Sequence, residues 1–466
     1  MKVMIAASEA KPFVKSGGLG DVMGSLPLAL KQEEVSVSVI LPKYAGIRPE
    51  YVKNMKRLDF FEVELGWRKL YCGILKLEQD GIDYYFVDNE YFFKRPELYG
   101  YDDDCERFAF FSKAVLLFAE RLGADCPRVI HCNDWHTGLI PLFLREMYRD
   151  SPVLGKTRSL FTIHNIKYQG IFNKYWFGDL LGLYGNLDAW HTLEFKDQIN
   201  YMKAGILAAD RVSTVSPTYS KEIRDHFYGE GLEGVIASLP REVKGILNGI
   251  HYEHRDCDKG AVKKQIQERM GLEPRENVPL ITMVSRLTAQ KGLDLVAHIM
   301  DELVTEDVQL VFLGAGEPEY ENMLRHFEGK YPSKVKAFIG FEEELARQLY
   351  MGADLFLMPS IFEPCGISQM MAMEYGTLPV VRETGGLIDT VVPFNQYTGE
   401  GTGFTFSNIN AHEFLFTIKR ALNVYHNDPQ LWRQLKRNAA GTDFSWKKSA
   451  EEYKNLYEDI TRYPKQ

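Results

Sequence analysis

The sequence predicts an α/β protein built from two doubly wound parallel-sheet domains, and three observations predict it. The chain has 466 residues, too many for one core of ordinary size. Of these, 45% are hydrophobic and 13% aromatic, enough to fill two interiors. Short, nearly continuous apolar runs recur along the chain between longer amphipathic stretches, the pattern of strands covered on both faces by helices. The alternation restarts near residue 280, after a charged stretch, 256–279, that contains Gly260, Gly271 and Pro274.

Taken in order, the first strand is expected at 3–7. Its apolar run is far too short for a secretion signal and reads as a buried strand. Further strands are expected at 35–41, 84–87, 129–132, 160–163 and 212–215, and in the second half at 280–284, 309–313, 335–339, 355–358 and 378–381. Amphipathic helices are expected at 107–122 and 293–304. Residues 444–457, with Trp446, Tyr453 and Leu456, read as a terminal amphipathic helix. The expected domains are 1–245 and 246–445, followed by a terminal segment, 446–466. Two such domains facing each other would hold a ligand in the cleft between them.

Composition narrows the function. A formal net charge of -9 argues against a general nucleic-acid binder, which needs a basic face, but leaves room for a local basic pocket. No stretch approaches the roughly 18 apolar residues of a membrane helix. Six cysteines, Cys72, Cys105, Cys126, Cys132, Cys257 and Cys365, form no CxxC pair and fit free thiols in a reducing compartment, so a cytoplasmic location is expected. There is no His/Cys/Asp cluster at metal-ligand spacing and no GxSxG elbow.

Ligands of open α/β sheets bind beyond the carboxyl ends of the strands, so the residues there are the candidates. After the first strand comes Lys15-Ser16-Gly17-Gly18-Leu19-Gly20-Asp21, leading into a helix expected to begin near Asp21 or Val22. Paired glycines admit a ligand to the backbone, and a helix N-terminus favours an anion. The loop matches neither GxGxxG nor a Walker A, and such a turn is as often structural; Lys15 tips it toward an anion site. Asn133-Asp134-Trp135-His136 and His164-Asn165 follow two successive strands, as satisfied backbone partners or as the lining of a cleft. In the second half Arg286 and Lys291 follow a strand, either as a solvated basic turn or as a fork and a point charge converging on a diphosphate. Gly314-Ala315-Gly316, Glu363 and a second glycine pair, Gly385-Gly386 after Thr384, follow later strands. Two cations, a carboxylate and two glycine-pair loops fit a nucleotide diphosphate joined to a sugar, the cations taking the place of Mg²⁺.

The motifs together resemble the bacterial glycogen synthases and plant starch synthases. The resemblance covers nearly the whole chain. It is carried by Lys15 through Val22, Leu98-Tyr99-Gly100 with Glu106-Arg107-Phe108, Asn133 through Gly138, and Thr162 through Asn165 with Tyr168-Gln169-Gly170. It continues through Val215-Ser216-Pro217-Thr218-Tyr219, Gly245 through Ile250, Ser285 through Gly292, Glu363 through Gly366, Tyr375-Gly376-Thr377 and Thr384 through Leu387. The resemblance implies a GT-B architecture: two Rossmann-like domains, an interdomain active site and a last helix crossing back to the first domain. It implies a retaining transfer of glucose from ADP-glucose to the nonreducing end of an α-1,4-glucan, with no cofactor and no required metal. Carried over, Arg286 and Lys291 would stabilise the diphosphate, Glu363 would sit by the glucose, and His164 would lie near the anomeric carbon with Asp134. Lys15, Gly18, Asp21, Asn248, Cys365, Gly366, Thr384, Gly385 and Gly386 would contact the donor, and the Phe341 ring would pack on adenine.

Two departures stand out. Where the wider class carries a second glutamate, this chain has Met371, and the synthases generally lack that second acid. The segment 251–259 is shorter than usual and lacks the family's Trp-Asn-Pro. Alternative readings are a UDP-glucose-using relative with another acceptor, a catalytically inactive glucan-binding protein, and a nicotinamide dehydrogenase. The last would need GxGxxG after the first strand.

Overall fold

A computed structural model of the chain describes residues 1–252 and 258–462. Its contacts divide the chain into two units, Met1–Gly249 with Trp446–Gln466, and Ile250–Ser445. The chain leaves the first unit slightly later than the expected boundary at 245/246. The reason is pairing: strand 244–245 joins the first unit's sheet, and Ile246 N donates to Thr214 O at 2.9 Å.

The first unit is built on β1 (Lys2–Ala6), β2 (Ser36–Pro42), β3 (Lys56–Leu65), β4 (Arg68–Gln79), β5 (Ile82–Asp88), β6 (Val129–Asn133) and β7 (Arg158–Ile163). A side sheet follows, β8 (Ile171–Asn173), β9 (Glu194–Phe195) and β10 (Gln198–Asn200), and then β11 (Arg211–Thr214) and β12 (Lys244–Gly245). The main sheet runs β12-β11-β7-β6-β1-β2-β5-β4-β3, parallel from β12 to β5. The central strands are continuous apolar runs because helices cover both faces; every residue of β7 is buried. The β3/β4 hairpin is the departure from an all-parallel sheet. Its strands pair antiparallel through Gly66-Trp67, and β3 alternates exposed with buried residues toward its end. One face meets water, so no continuous apolar run marks it in the sequence.

The terminal helix, Trp446–Arg462, belongs to this first unit. Trp446, Ala450, Tyr453, Tyr457 and Ile460 recur every three or four residues and are buried. The Tyr457 hydroxyl shares a hydrogen bond with His131 Nδ1 at 2.8 Å, and His131 Nε2 meets the Thr162 hydroxyl at 2.7 Å. A polar thread therefore ties the helix to β6 and β7.

The second unit holds β13 (Leu280–Val284), β14 (Gln309–Gly314), β15 (Val335–Ile339), β16 (Leu355–Met358), β17 (Leu378–Arg382) and β18 (Phe404–Phe406). Their order is β15-β14-β13-β16-β17-β18, all parallel. Ile266, Leu272, Leu280, Val311, Leu313, Leu345 and Leu349 form a buried cluster between the sheet and its helices.

Both orders reverse direction beside their first strand. In the first unit the chain leaves β1 toward β2 and returns on the other side with β6; in the second it leaves β13 toward β14 and returns with β16. Such switch points open a crevice at the carboxyl ends of the flanking strands. The loops after β1, β6, β13 and β16 carry Lys15, Asp134, Arg286 with Lys291, and Glu363 in turn.

Candidate active site

At the first switch point, the loop after β1 is organised by a residue not among the expected ones. Glu9 is 1% exposed, and its carboxylate accepts hydrogen bonds from Ser16 N and from Gly20 N, the latter at 3.2 Å. The helix begins at Gly18 rather than near Asp21, so the glycines form its first turn, with Gly17 as N-cap. The loop N–H groups expected to await an anion are thus partly engaged by Glu9, whose carboxyl pKa burial raises despite those hydrogen bonds. A Cβ on Gly17 would meet only Glu9 Oε1, at 3.8 Å, so no contact within the protein demands glycine there.

Lys15 and Asp21 form an ion pair at 2.6 Å, and Lys11 holds the other oxygen of Asp21 at 2.9 Å. Asp21 is therefore placed as counter-ion to two lysines. Tyr99 closes the loop's flank through its hydroxyl contact with the Ser16 hydroxyl. The segment carrying Tyr99 is itself held by the buried Arg107, which donates to Phe92 O at 2.8 Å and Leu98 O at 3.0 Å while pairing with Asp104.

Asp134 follows β6 with φ 56° and ψ 179°, backbone that L residues rarely adopt. The strain turns its carboxylate onto the end of β7, where it accepts from His164 N at 2.7 Å and from Asn165 N at 3.4 Å. Burial pushes its pKa up to about 7, against those two hydrogen bonds and with the Glu9 charge adding to the rise. His164 Nε2 lies 2.9 Å from Asn133 Oδ1. The Asn133 Nδ2 group donates to Ala6 O and His131 O, which leaves its oxygen as the acceptor. His164 therefore donates from Nε2 and keeps Nδ1 as an acceptor. Burial holds its pKa down to about 3, so the ring is neutral. Asn248 is 6% exposed, and its Oδ1 is buried without a partner.

At the second switch point, Lys291 and Glu363 meet at 2.7 Å. Glu363, 6% exposed, also accepts from the Ser360 hydroxyl at 2.9 Å. Lys291 and Glu363 thus act as one unit, a cation held by a buried carboxylate. Arg286 stands exposed after β13 and makes no ion pair among the described residues. The loop Glu363 through Gly366 is knit to the second glycine pair: Gly386 N donates to Glu363 O at 3.0 Å, and a Cβ on Gly386 would fall 2.1 Å from Cys365 O. Gly386 is thus needed for a close approach within the protein, unlike Gly17. Gly366 and Gly385 have φ of 71° and 45°, Cys365 is 4% exposed and Thr384 fully buried. Gly314 and Gly316, expected to admit a ligand, are packed against Ser285 O and Leu287 O, where a Cβ would stand at 2.0 and 2.2 Å. Phe341 lies just beyond β15 with 71% of its surface exposed.

The structure thus gathers Lys15, Gly18, Asp21, Asp134 and His164 at strand ends of the first unit, and Arg286, Lys291, Glu363, Cys365, Gly366, Thr384, Gly385 and Gly386 at those of the second. Glu9 was missing from the expected set, and Asn133 was expected only as part of a polar cluster, without its role as acceptor for His164. Glu9 follows β1 just as Asp134 follows β6, so the strand-end rule applied evenly finds it.

Among the described residues no group of three or more His, Cys, Asp and Glu is placed to hold a metal ion. No described helix is long and apolar enough to cross a membrane. The described cysteines are free thiols; Cys257 lies outside the described residues, as does part of the shortened segment 251–259.

Comparison with known proteins gives matches over nearly the whole chain. A family profile described as starch synthase catalytic domain matches residues 2–238, and one described as glycosyl transferases group 1 matches residues 264–441. The chain is 48% identical over 463 residues to a glycogen synthase of Desulfitobacterium hafniense, covering 99% of each. It is 48% identical over 478 residues to one of Geobacillus stearothermophilus, covering 99% of this chain and 98% of the relative. The catalytic domain of starch synthase IV from Arabidopsis thaliana, solved with ADP and acarbose bound, superposes with a TM-score of 0.90 at 31% identity, covering 99% of both chains. A sucrose-phosphate synthase of Thermosynechococcus elongatus shares the fold, with a TM-score of 0.63 at 17% identity over 98% of both chains.

Proposed function

This chain belongs to the family of glycogen and starch synthases, glycosyltransferases of the GT-B fold, and we propose on that premise how its residues divide the transfer of glucose from ADP-glucose to an α-1,4-glucan. The observation that carries the reading is the second switch point: a buried carboxylate holding Lys291, beside an Arg286 with no ion pair among the described residues. Two cations at strand ends suit a diphosphate that gains charge as its bond to the sugar breaks. The ADP in the starch synthase IV structure supports the choice of nucleotide, and its acarbose supports a glucan acceptor.

In this reading Arg286 and Lys291 bind the diphosphate. Glu363, with the Cys365-Gly366 backbone, receives the glucose hydroxyls, and Thr384, Gly385 and Gly386 donate to phosphate. The exposed Phe341 ring packs on adenine. Lys15 reaches the donor from the glycine loop, Asp21 and Glu9 fix that loop, and Gly17 and Gly18 let the donor approach its backbone. Nδ1 of the neutral His164 accepts a sugar hydroxyl near the anomeric carbon, and Asp134 and Asn248 complete the polar lining. The glucan 4-hydroxyl attacks the face that the diphosphate leaves, its proton passes to the departing phosphate oxygen, and the configuration is retained. The protein contributes positioning and charge stabilisation.

No metal or cofactor has a role in this scheme, because the two cations supply the charge that a metal would. The enzyme is placed in the cytoplasm, where free thiols persist. Its partners are the nucleotide sugar and the glucan, with no part for nucleic acid or membrane.

The test is the product. Labelled glucose transferred from ADP-glucose to glycogen is expected to be released as maltose by β-amylase, which requires α-1,4 linkage at the nonreducing end. Label that resists β-amylase would overturn the reading of linkage and acceptor. Undiminished transfer after exhaustive chelation is expected, and loss restored by a divalent cation would overturn the metal-free scheme.

A further inference from the structure

Asn133 ends β6 with no exposed surface, opposite Thr162 of β7 and so two residues short of His164 in the register. Its amide has one orientation. The nitrogen donates to Ala6 O at 3.1 Å and to His131 O at 3.2 Å, so a flipped amide would set its oxygen against two carbonyl oxygens. Those carbonyls belong to the paired strands β1 and β6, which means that the sheet itself fixes the amide. Its oxygen is left to face His164 Nε2, at 2.9 Å.

His164 is held from its backbone as well, since its N–H donates to Asp134 Oδ1 at 2.7 Å. An amide oxygen only accepts, so it calls for the ring proton on Nε2 and leaves the lone pair on Nδ1. The amide is also uncharged. A carboxylate in its place would favour the imidazolium, whereas beside the amide burial holds the ring neutral, with its pKa down at about 3. The titratable groups around the ring leave that balance in place. Asp134 is itself buried, with a pKa of about 7, and the Glu9 charge acts on Asp134. His131 is neutral too, its nitrogens engaged by the Tyr457 and Thr162 hydroxyls, and the Tyr219 hydroxyl accepts from Ile166 N at 3.1 Å.

We propose that Asn133 is a positioning residue for glucose transfer, acting through His164: it selects the ring nitrogen that faces the sugar and keeps that nitrogen a lone-pair acceptor. This rests on the reading that sets His164 near the anomeric carbon. Positive charge develops at that carbon as its bond to the diphosphate breaks. A neutral Nδ1 turns a lone pair toward the charge, where an N–H group or an imidazolium would oppose it. The gain grows as the charge develops, so it belongs to kcat more than to KM.

The experiment compares Asn133→Asp and Asn133→Leu with the parent protein. Both variants lose the donors to Ala6 O and His131 O, but only the aspartate keeps an acceptor for Nε2. If the amide were merely structural, the aspartate would be the worse variant, because it sets a charge against two carbonyl oxygens. The reverse order is expected. At about pH 9 Asn133→Asp should keep kcat within about threefold of the parent, and Asn133→Leu should lose at least about tenfold, with smaller changes in KM for ADP-glucose. As the pH falls to about 6, kcat of Asn133→Asp relative to the parent should fall too, because the carboxylate raises the His164 pKa and the ring takes up a proton. Taking the ratio to the parent removes the titration of Asp134, which both proteins share. Nitrogen NMR of the imidazoles, with His164 assigned by its loss in His164→Ala, should place the proton on Nε2 in the parent. Melting temperatures above the assay temperature qualify each variant; if Asn133→Leu does not fold, the tautomer of the parent and the acid loss of Asn133→Asp decide. A kcat for Asn133→Leu equal to or above that of Asn133→Asp at about pH 9 would overturn the inference. So would a ratio of Asn133→Asp to parent that ignores pH, or a parent with its proton on Nδ1. Full activity in His164→Ala would instead sink the reading of His164 itself, and this inference with it.

Discussion

Asp134 is opposed by its surroundings twice, through a backbone torsion that costs energy and a burial that resists its charge. Its folded pKa, about 7, lies above the ordinary carboxylate value of 3.8, so the folded protein binds the proton more tightly than the unfolded chain. The associated stability is fully present below pH 3.8 and is lost as pH rises through 7. Asp134→Asn is therefore expected to be more stable than the parent at pH 8, by up to a few kcal/mol at about 1.4 kcal/mol per pKa unit, and so to melt higher there, with the difference vanishing near pH 4. Thermal unfolding at both pH values checks this; equal gains at both would mean that charge is not the cause. Arg286 and Lys291 separate in the same way. Arg286→Ala should lower kcat by about 10²–10³ with the melting temperature unchanged. Lys291→Ala should lose activity and also about 3–5 kcal/mol of stability, because it strands the buried Glu363 carboxylate. Equal melting of the two variants would contradict the buried pair. The sequence could place these side chains at strand ends but not pair them, because Lys291 and Glu363 lie in loops far apart along the chain and meet only when β13 and β16 become neighbours.

At the scale of elements, most strands legible in the sequence were those buried on both faces, since a continuous apolar run needs no knowledge of neighbours; the half-buried edge strand β15 was legible too. The β3/β4 hairpin escaped because its solvent-facing side interrupts that run with Arg57, Glu62 and Glu64. β8–β10, β12 and β18, of two or three residues each, are too short to show any period. The first helix begins earlier than expected, at Gly18, where Glu9 from the start of the same loop engages the glycine turn that otherwise reads as loop. The terminal helix was readable from its 3.6-residue period, but its anchor was not: His131, Thr162 and Tyr457 come from separate segments. Tyr457→Phe removes the hydroxyl facing the buried His131 nitrogen and is expected to cost about 1–3 kcal/mol. Chemical denaturation should show that loss with kcat little changed; an unaltered midpoint would mean that the thread contributes nothing to stability.

For the whole molecule, the restart of β-α alternation near residue 280 announced the second unit, and the likeness to glycogen synthases spans both units without a gap in coverage. The fold followed from periodicity alone, whereas the substrates required strand-end chemistry and family resemblance together, because doubly wound domains serve many reactions. An acidic chain with a net charge of -9 binds an anionic donor only if its cations are concentrated where they are needed, and Arg286 and Lys291, both in the loop after β13, are the cations proposed for that role. The most direct measurement is nucleotide release by the purified protein from ADP-glucose and from UDP-glucose, each with and without glycogen. Release of ADP that depends on glycogen is expected, with UDP-glucose a much poorer donor. Equal or greater release from UDP-glucose, or release that ignores glycogen, would contradict it.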